Sequence, residues 1–381
     1  MRHCFYRSIF VFIIACSSPD EVGLTPLEIA TDTVMVDPGE EILFLNFGLW
    51  ASDLSDDKKY LYNVNSQEYA IEKINLNTLT FEKRYPFERE GPNGVGNFLR
   101  TFALINNDSL FISFHQNEHL FNWQGEKLKS FDIIEMGKEQ GQLAEGDKTY
   151  KTISLSQDGS QYASLIVNSE NKNASFALID HIAKTFHKIA LPGMEKTKDY
   201  ELTLKEGQGI LTMGLGRYLS KEGGNVIVGT EVSNELYVLD NTSGELNHIA
   251  YNNQLTPNEK SGNYPTEFGD RVQYSNFHRK IMEDISFMNP VWDEKKQVYY
   301  RFSYQMKYDD NAKPKDGQLY TPTTGADVYL SVLDKDFKLI AESHLQSMDE
   351  RPPFHFAKDG KLWFFENLED EMGFVRMDIT W

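Results

Sequence analysis

Six times along this chain a tight polar turn precedes an apolar strand, a loop, a second apolar strand, another tight turn and a third strand. The opening turns are Ser55-Asp56-Asp57-Lys58, Ile105-Asn106-Asn107-Asp108, Ser156-Gln157-Asp158-Gly159, Lys221-Glu222-Gly223-Gly224, Asp293-Glu294-Lys295-Lys296 and Ala357-Lys358-Asp359-Gly360. So small a sheet cannot bury both of its faces alone. The copies must pack on one another, which restricts the chain to a β-propeller or a solenoid. Aromatic residues make up 13% of the chain, which suits strands that need large flat side chains.

The copies run near Phe47–Phe87, Leu99–Ile133, Thr152–Leu191, Gly216–Tyr251, Ile285–Leu345 and Pro353–Trp381. Their third strands tend to end on Asn or Asp before a short turn, as at Asn75-Leu76-Asn77-Thr78 and Asp240-Asn241-Thr242-Ser243-Gly244. Asn, Asp and Gly suit these turns because they hydrogen-bond their own backbone or tolerate positive φ. The sixth copy decides between the two architectures. Its third strand is Gly373–Ile379 and the chain stops at Trp381, so an outermost strand is missing. Thr33-Val34-Met35-Val36-Asp37 is an unassigned strand that could supply it and cover the open edge. A closed ring requires that pairing and an open solenoid does not. The expected fold is therefore all-β, a six-bladed β-propeller with its last blade closed by an N-terminal strand. Spare strand-like material at Glu41–Asn46 and 252–284 leaves seven blades open.

The N-terminus reads as a targeting segment. Arg2 and Arg7 precede the apolar run Ile9–Ala15, which is too short to span a bilayer. Ile13-Ile14-Ala15-Cys16 resembles the lipobox of bacterial lipoprotein signal peptides, with Ile13 where Leu is usual. The resemblance implies cleavage before Cys16, acylation of its thiol, and a membrane attachment made through that anchor alone. The organisation expected is a signal peptide at 1–15, a flexible tether at 16–29 and one propeller domain at 30–381. Ser17-Ser18-Pro19-Asp20-Glu21 is similar to an export signal to the outer face of the outer membrane, and reads equally as a solvated tether. Cys4 and Cys16 are the two cysteines, so residues 30–381 can form no disulfide. The formal net charge of −19 disfavours nucleic acid as a partner.

In a four-stranded blade the first-to-second and third-to-fourth turns share one face. The second-to-third loops and the crossings between blades share the other. Here the first kind is tight, and the long segments Glu88–Phe98, Glu135–Tyr150, Pro192–Leu215, Asn252–Asp284 and Lys307–Asp327 are of the second kind. Loops elaborated on a rigid scaffold usually carry function, so ligand contact is expected on the long-loop face. Candidate ligand-binding residues there are Arg89, in the crossing Arg89-Glu90-Gly91-Pro92-Asn93-Gly94, and Arg271, Tyr274, His278 and Arg279 in the longest loop. Arg351 and His355, flanking the innermost strand of the last copy, complete the set. Cationic and aromatic side chains of this kind clamp a carboxylate or stack on a sugar or peptide, or else pack on their own scaffold. The glycines of the crossing read as backbone requirements of a bend, because a strand and not a helix follows them.

His115 and His119 lack the spacing of a zinc site, and no metal or cofactor is expected. No nucleophile elbow, phosphate loop or dinucleotide fingerprint occurs, so no catalytic residue can be named. With the lipobox, the repeat pattern and the Arg89–Gly94 crossing in hand, the chain resembles the uncharacterised six-bladed, TolB-like propeller lipoproteins of Bacteroidota. That resemblance implies a fold and a place in the cell envelope, at the outer membrane, and no agreed activity. The leading functional expectation is a binding or scaffold module for a peptide, glycan or partner protein. The rival is a hydrolase or lyase acting on carbohydrate or lactone substrates, and a third reading is a sensor or assembly factor.

Overall fold

The computed structural model describes residues 27–381 apart from 97–101, 107, 115–116, 241–242 and 316. The signal segment, Cys16 and nearly all of the tether therefore lie outside the described residues. Tight antiparallel turns convert each repeat into a sheet whose strands follow chain order. The first sheet is Ser52–Leu54, Tyr60–Asn65, Ala70–Asn75 and Thr80–Pro86, and the second is Phe102–Leu104, Ser109–Phe114, Asn117–Asn122 and Lys127–Phe131. The third is Asp147–Ser154, Gln161–Asn168, Ala174–Asp180 and Thr185–Ala190, and the fourth is Arg217–Glu222, Asn225–Thr230, Leu236–Asp240 and Leu246–Ile249. In the fifth, Ser286–Phe287 and Val291–Asp293 share the partner Val298–Lys307, followed by Gly325–Leu333 and Leu339–His344. The architecture is an all-β propeller.

Side-chain chemistry explains the turns. Asn75, Asn122, Asp180, Asp240 and Asp334 each use Oδ1 to accept backbone N–H groups two to four residues on. The recurrent Asn or Asp after the third strand is thus an Asx-type turn that fixes where the outer strand begins.

The sixth sheet contains His355–Lys358, Lys361–Leu368 and Glu371–Thr380, and its fourth strand is Glu28–Met35. The N-terminal strand pairs antiparallel along its whole length, with Thr33 opposite Val375 and Val34 opposite Phe374. The Glu28 end lies beside Thr380, on the side that carries the tight turn between Lys358 and Lys361. Arg376 adds a paired hydrogen bond to Asp32 across the seam.

The core is distributed between sheets, as a ring requires. Each neighbouring pair shares one apolar cluster, such as Val64, Ile71, Ile112 and Phe121 between the first and second sheets. The pattern repeats around the circle to Phe356, Trp363 and Phe374 of the sixth sheet against Leu61 and Ile74 of the first. Arg301 stitches the fourth sheet to the fifth from a fully buried position. Its five N–H groups reach the carbonyls of Met288, Asn234 and Ser233 and the hydroxyls of Tyr251 and Tyr218.

Of the two stretches of spare strand-like material, one forms no strand and the other forms a strand and a helix. Glu41–Asn46 forms no strand. It is strapped to the first sheet instead, because buried Glu72 accepts the Phe44 N–H and Arg84 holds Glu41 and the Ile42 carbonyl. The segment 252–284 is not one long loop. It holds a short strand, Glu267–Phe268, which joins Leu202–Glu206 and Gly209–Met213 in a three-stranded sheet. It also contains a 13-residue helix, Arg271–Glu283, capped by Asp270.

Two outcomes follow. Deleting residues 1–35 should lower Tm by ~10 °C or more relative to a chain lacking only residues 1–26, because several kilocalories of pairing are lost. It should also produce concentration-dependent association through the bared edge, read by calorimetry and gel filtration. Arg301→Met should destabilise by roughly 3–5 kcal/mol in denaturant titration, since it orphans buried acceptors on two sheets.

Candidate ligand site on the channel axis

The residues expected to bind ligand fall in three places. Arg89 is exposed in its crossing, with its guanidinium 5.7 Å from the Tyr69 ring. The crossing itself is a backbone device. Gly91 has φ +95°, and a Cβ on Gly94 would come within 2.8 Å of the Arg89 carbonyl oxygen. Arg271, Tyr274, His278 and Arg279 occupy the inserted helix. Arg271 pairs with Glu206 at 2.6 Å, and Arg279 pairs with Glu283 at 2.7 Å and donates to the Asp309 carbonyl. Tyr274 is fully buried among Leu202, Leu204 and Phe268. His278 lies 4.5 Å from the Tyr320 ring, and burial lowers its pKa to about 4. These four do not converge on a shared cavity.

Arg351 and His355 differ from one another. His355 is sandwiched by Phe302 and Phe364, and its Nδ1 donates to the Pro353 carbonyl at 2.8 Å. Burial lowers its pKa to about 4, so it is a neutral packing residue. Arg351 pairs with Glu231 at 3.1 Å and lies 5.5 Å from the ring of Trp50, which is 74% exposed. Beside Trp50, Asn46, Phe47 and Gly48 line an open groove of about 640 Å³. Of the seven candidates, Arg351 is the one set against the exposed Trp50, which lines this groove. His119 donates or accepts through Nδ1 with Ser130, while His115 lies outside the described residues.

A larger concavity than this groove lies elsewhere. It has a volume of about 760 Å³ and is walled by the innermost strands of the first four sheets and by Trp292 and Glu294 of the fifth. Its rim is formed by Ser55–Lys58, Asn106, Gln157 and Lys221–Gly224. These are the tight turns, so the cavity opens on the trimmed face, opposite to the one that loop length singled out. Asp53, Lys151 and Glu222 line it. No sequence motif marks them. The available signal was a charged residue on the innermost strand, or at its turn, in three separate repeats.

Their positions are set by backbone. Asp53 accepts the N–H of Leu54 at 2.9 Å and that of Leu104 in the next sheet at 2.8 Å. Glu222 accepts the Trp292 N–H at 2.9 Å, again across a sheet boundary. Lys58 of the first sheet reaches the Trp292 carbonyl and Glu294 of the fifth, two sheets that are not neighbours in the ring. A register shift between Thr149 and Lys151 sets Tyr150 out of the ladder where Lys151 meets the cavity. The Lys151 ammonium makes no hydrogen bond or ion pair with any described residue.

Electrostatics distinguish this group from an ordinary ion-pair cluster. Burial raises the Asp53 pKa against the two backbone donors. It lowers that of Lys151, opposed by Asp53 and Glu222. Burial, with help from Glu294 and Asp53, raises Glu222 to about 7, while Lys58 and the Trp292 N–H oppose it. All three side chains thus hold charge that the fold does not fully neutralise. Among the described residues no group of three His, Cys, Asp or Glu is arranged to hold a metal ion.

Because the folded-state pKa of Glu222 exceeds its ordinary 4.5, its contribution to stability is fullest below about 4.5 and is lost as pH rises through about 7. Glu222→Gln should therefore stabilise the protein at pH 8 by on the order of 1–2 kcal/mol. That advantage should vanish at pH 4, as read by thermal melts across pH.

A family model described as a domain of unknown function, DUF4221, matches residues 26–344. A solved member of that family from Bacteroides vulgatus superposes with a TM-score of 0.62 at 18% identity, covering 93% of this chain and 98% of the other. A second protein, from Bacteroides fragilis, gives a TM-score of 0.51 at 11% identity, covering 93% and 96%. No curated protein matches the chain in sequence.

Proposed function

Since the chain belongs to the DUF4221 family, whose description brings no activity, we propose from geometry that it is a binding propeller of the cell envelope, with its ligand seated in the axial cavity. The observation that carries this reading is the Lys151 ammonium, without a hydrogen-bond or ion-pair partner among the described residues, in a cavity of about 760 Å³ also lined by carboxylates that backbone hydrogen bonds hold in place. Pockets of ~300–1,000 Å³ with a few convergent polar groups are the usual form of small-molecule sites. A rigid ring loses little entropy when such a ligand docks.

The long-loop face supports a second role within the same reading. The Trp50 shelf with Arg351 offers a flat apolar surface beside a cation, which fits a macromolecular partner such as a glycan or protein. Attachment through an acylated Cys16 would hold the module at the membrane. One observation favours the rival hydrolase or lyase: a carboxyl with a pKa near 7 is suited to general acid–base work.

Two measurements test the proposal. Cells fed an alkyne fatty acid should label the full chain, and Cys16→Ser should abolish the label; equal labelling would remove the anchor from the reading. A metabolite-extract screen by thermal shift should yield ligands that stabilise the protein and fail to stabilise Lys151→Met. Turnover of an extract component, lost in Glu222→Gln, would replace the binding role with the catalytic one.

A further inference from the structure

We infer that the axial cavity selects a small zwitterion, an amino acid or short peptide with free termini, whose anionic group meets Lys151 and whose ammonium meets Asp53 and Glu222. This rests on reading the cavity as a ligand site, and it names the chemistry that site would recognise.

The argument begins with which charges are already used. Lys58 is engaged by the Trp292 carbonyl and Glu294, and Lys221 lies 3.6 Å from Asp56 on the rim. Lys151 has no such partner among the described residues. Its three N–H donors are left for water or ligand. Asp53 accepts one backbone N–H on each oxygen, and Glu222 accepts through Oε2 alone. Lone pairs therefore remain on both carboxylates, and Glu222 Oε1 accepts nothing from the described residues.

A ligand with one sign of charge fits this arrangement poorly. A simple anion drawn to Lys151 meets two carboxylates, and a simple cation drawn to the carboxylates meets an ammonium. A zwitterion answers both at once, and neutralises charge that the fold leaves uncompensated. The other charged groups facing the cavity are Asp56, Asp57 and Lys58 from the first sheet, Lys221 from the fourth and Glu294 from the fifth. The second sheet lines it with Phe102–Asn106 and contributes no titratable side chain. The raised Glu222 and lowered Lys151 pKa values bound the working range. Affinity should fall as pH drops through about 7, where Glu222 takes up its proton, and again at higher pH as Lys151 loses its own.

The test is calorimetric titration of the intact purified protein with the twenty free amino acids, dialanine and trialanine, each beside its N-acetylated and C-amidated form. At least one free form should bind, and blocking either terminus should weaken it tenfold or more. Lys151→Met should abolish binding and Glu222→Gln should weaken it and flatten the acid limb of the pH profile, with melts verifying that both variants fold. Lys151→Arg should retain part of the affinity. Blocked and free forms binding equally, with loss in Lys151→Met, would overturn the zwitterion inference and leave the cavity as the ligand site. Binding undiminished in a Lys151→Met, Glu222→Gln double variant would overturn the cavity reading itself. If no free form binds, the inference is overturned.

Discussion

The pairing of Glu28–Met35 with Glu371–Thr380 is the contact on which the rest of the molecule depends. Each of the first five propeller sheets is completed by strands that follow one another in chain order. The sixth sheet is completed by residues from the far end of the chain, so it closes only when everything between is in place. Loop-closure entropy makes such a contact late and cooperative. The apolar cluster joining the sixth and first sheets then has both of its sides, and the ring becomes rigid.

Rigidity and charge are linked at the axis. Asp53 and Glu222 each accept an N–H from a neighbouring sheet, and Lys58 of the first sheet donates to the Trp292 carbonyl of the fifth. These side chains act as staples between sheets. They also line the axial cavity, where they are only partly exposed. The residues that staple the sheets at the axis are therefore the ones that give the cavity its polarity. Such a site is preorganised, since moving its charges would require parting the sheets.

Much of the fold was legible in the chain. The Asn or Asp after each third strand has a local physical meaning, and the missing last strand with its N-terminal complement follows from the need to cover an edge. The site was less legible because it is a property of height along the axis. Asp53, Lys151 and Glu222 stand two residues before a turn, five before one, and within one, and a local register shift precedes Lys151. Spacing alone cannot align them. The inserted helix at Arg271–Glu283 carries little sequence signal. Its buried face is narrow, Tyr274, Ser275 and Ile281, and packs on a small sheet that includes a parallel strand pair invisible to local pattern. Tyr274 and His278 have ligand-binding chemistry yet pack within the scaffold, whereas Arg351 lies against the exposed Trp50.

The chain's first described strand begins beside Thr380, at the end of the sixth sheet that bears the tight turns, and the axial cavity opens toward that same side. Any leash attached ahead of Glu28 therefore pulls from the cavity's own hemisphere. A support gripping the leash closely would face the mouth, so that solutes would enter through the gap between support and ring. Trp50 and the long crossings would look outward, free to meet large partners that could never reach the axis. One polypeptide would thus present two audiences with different surfaces, sorted by size.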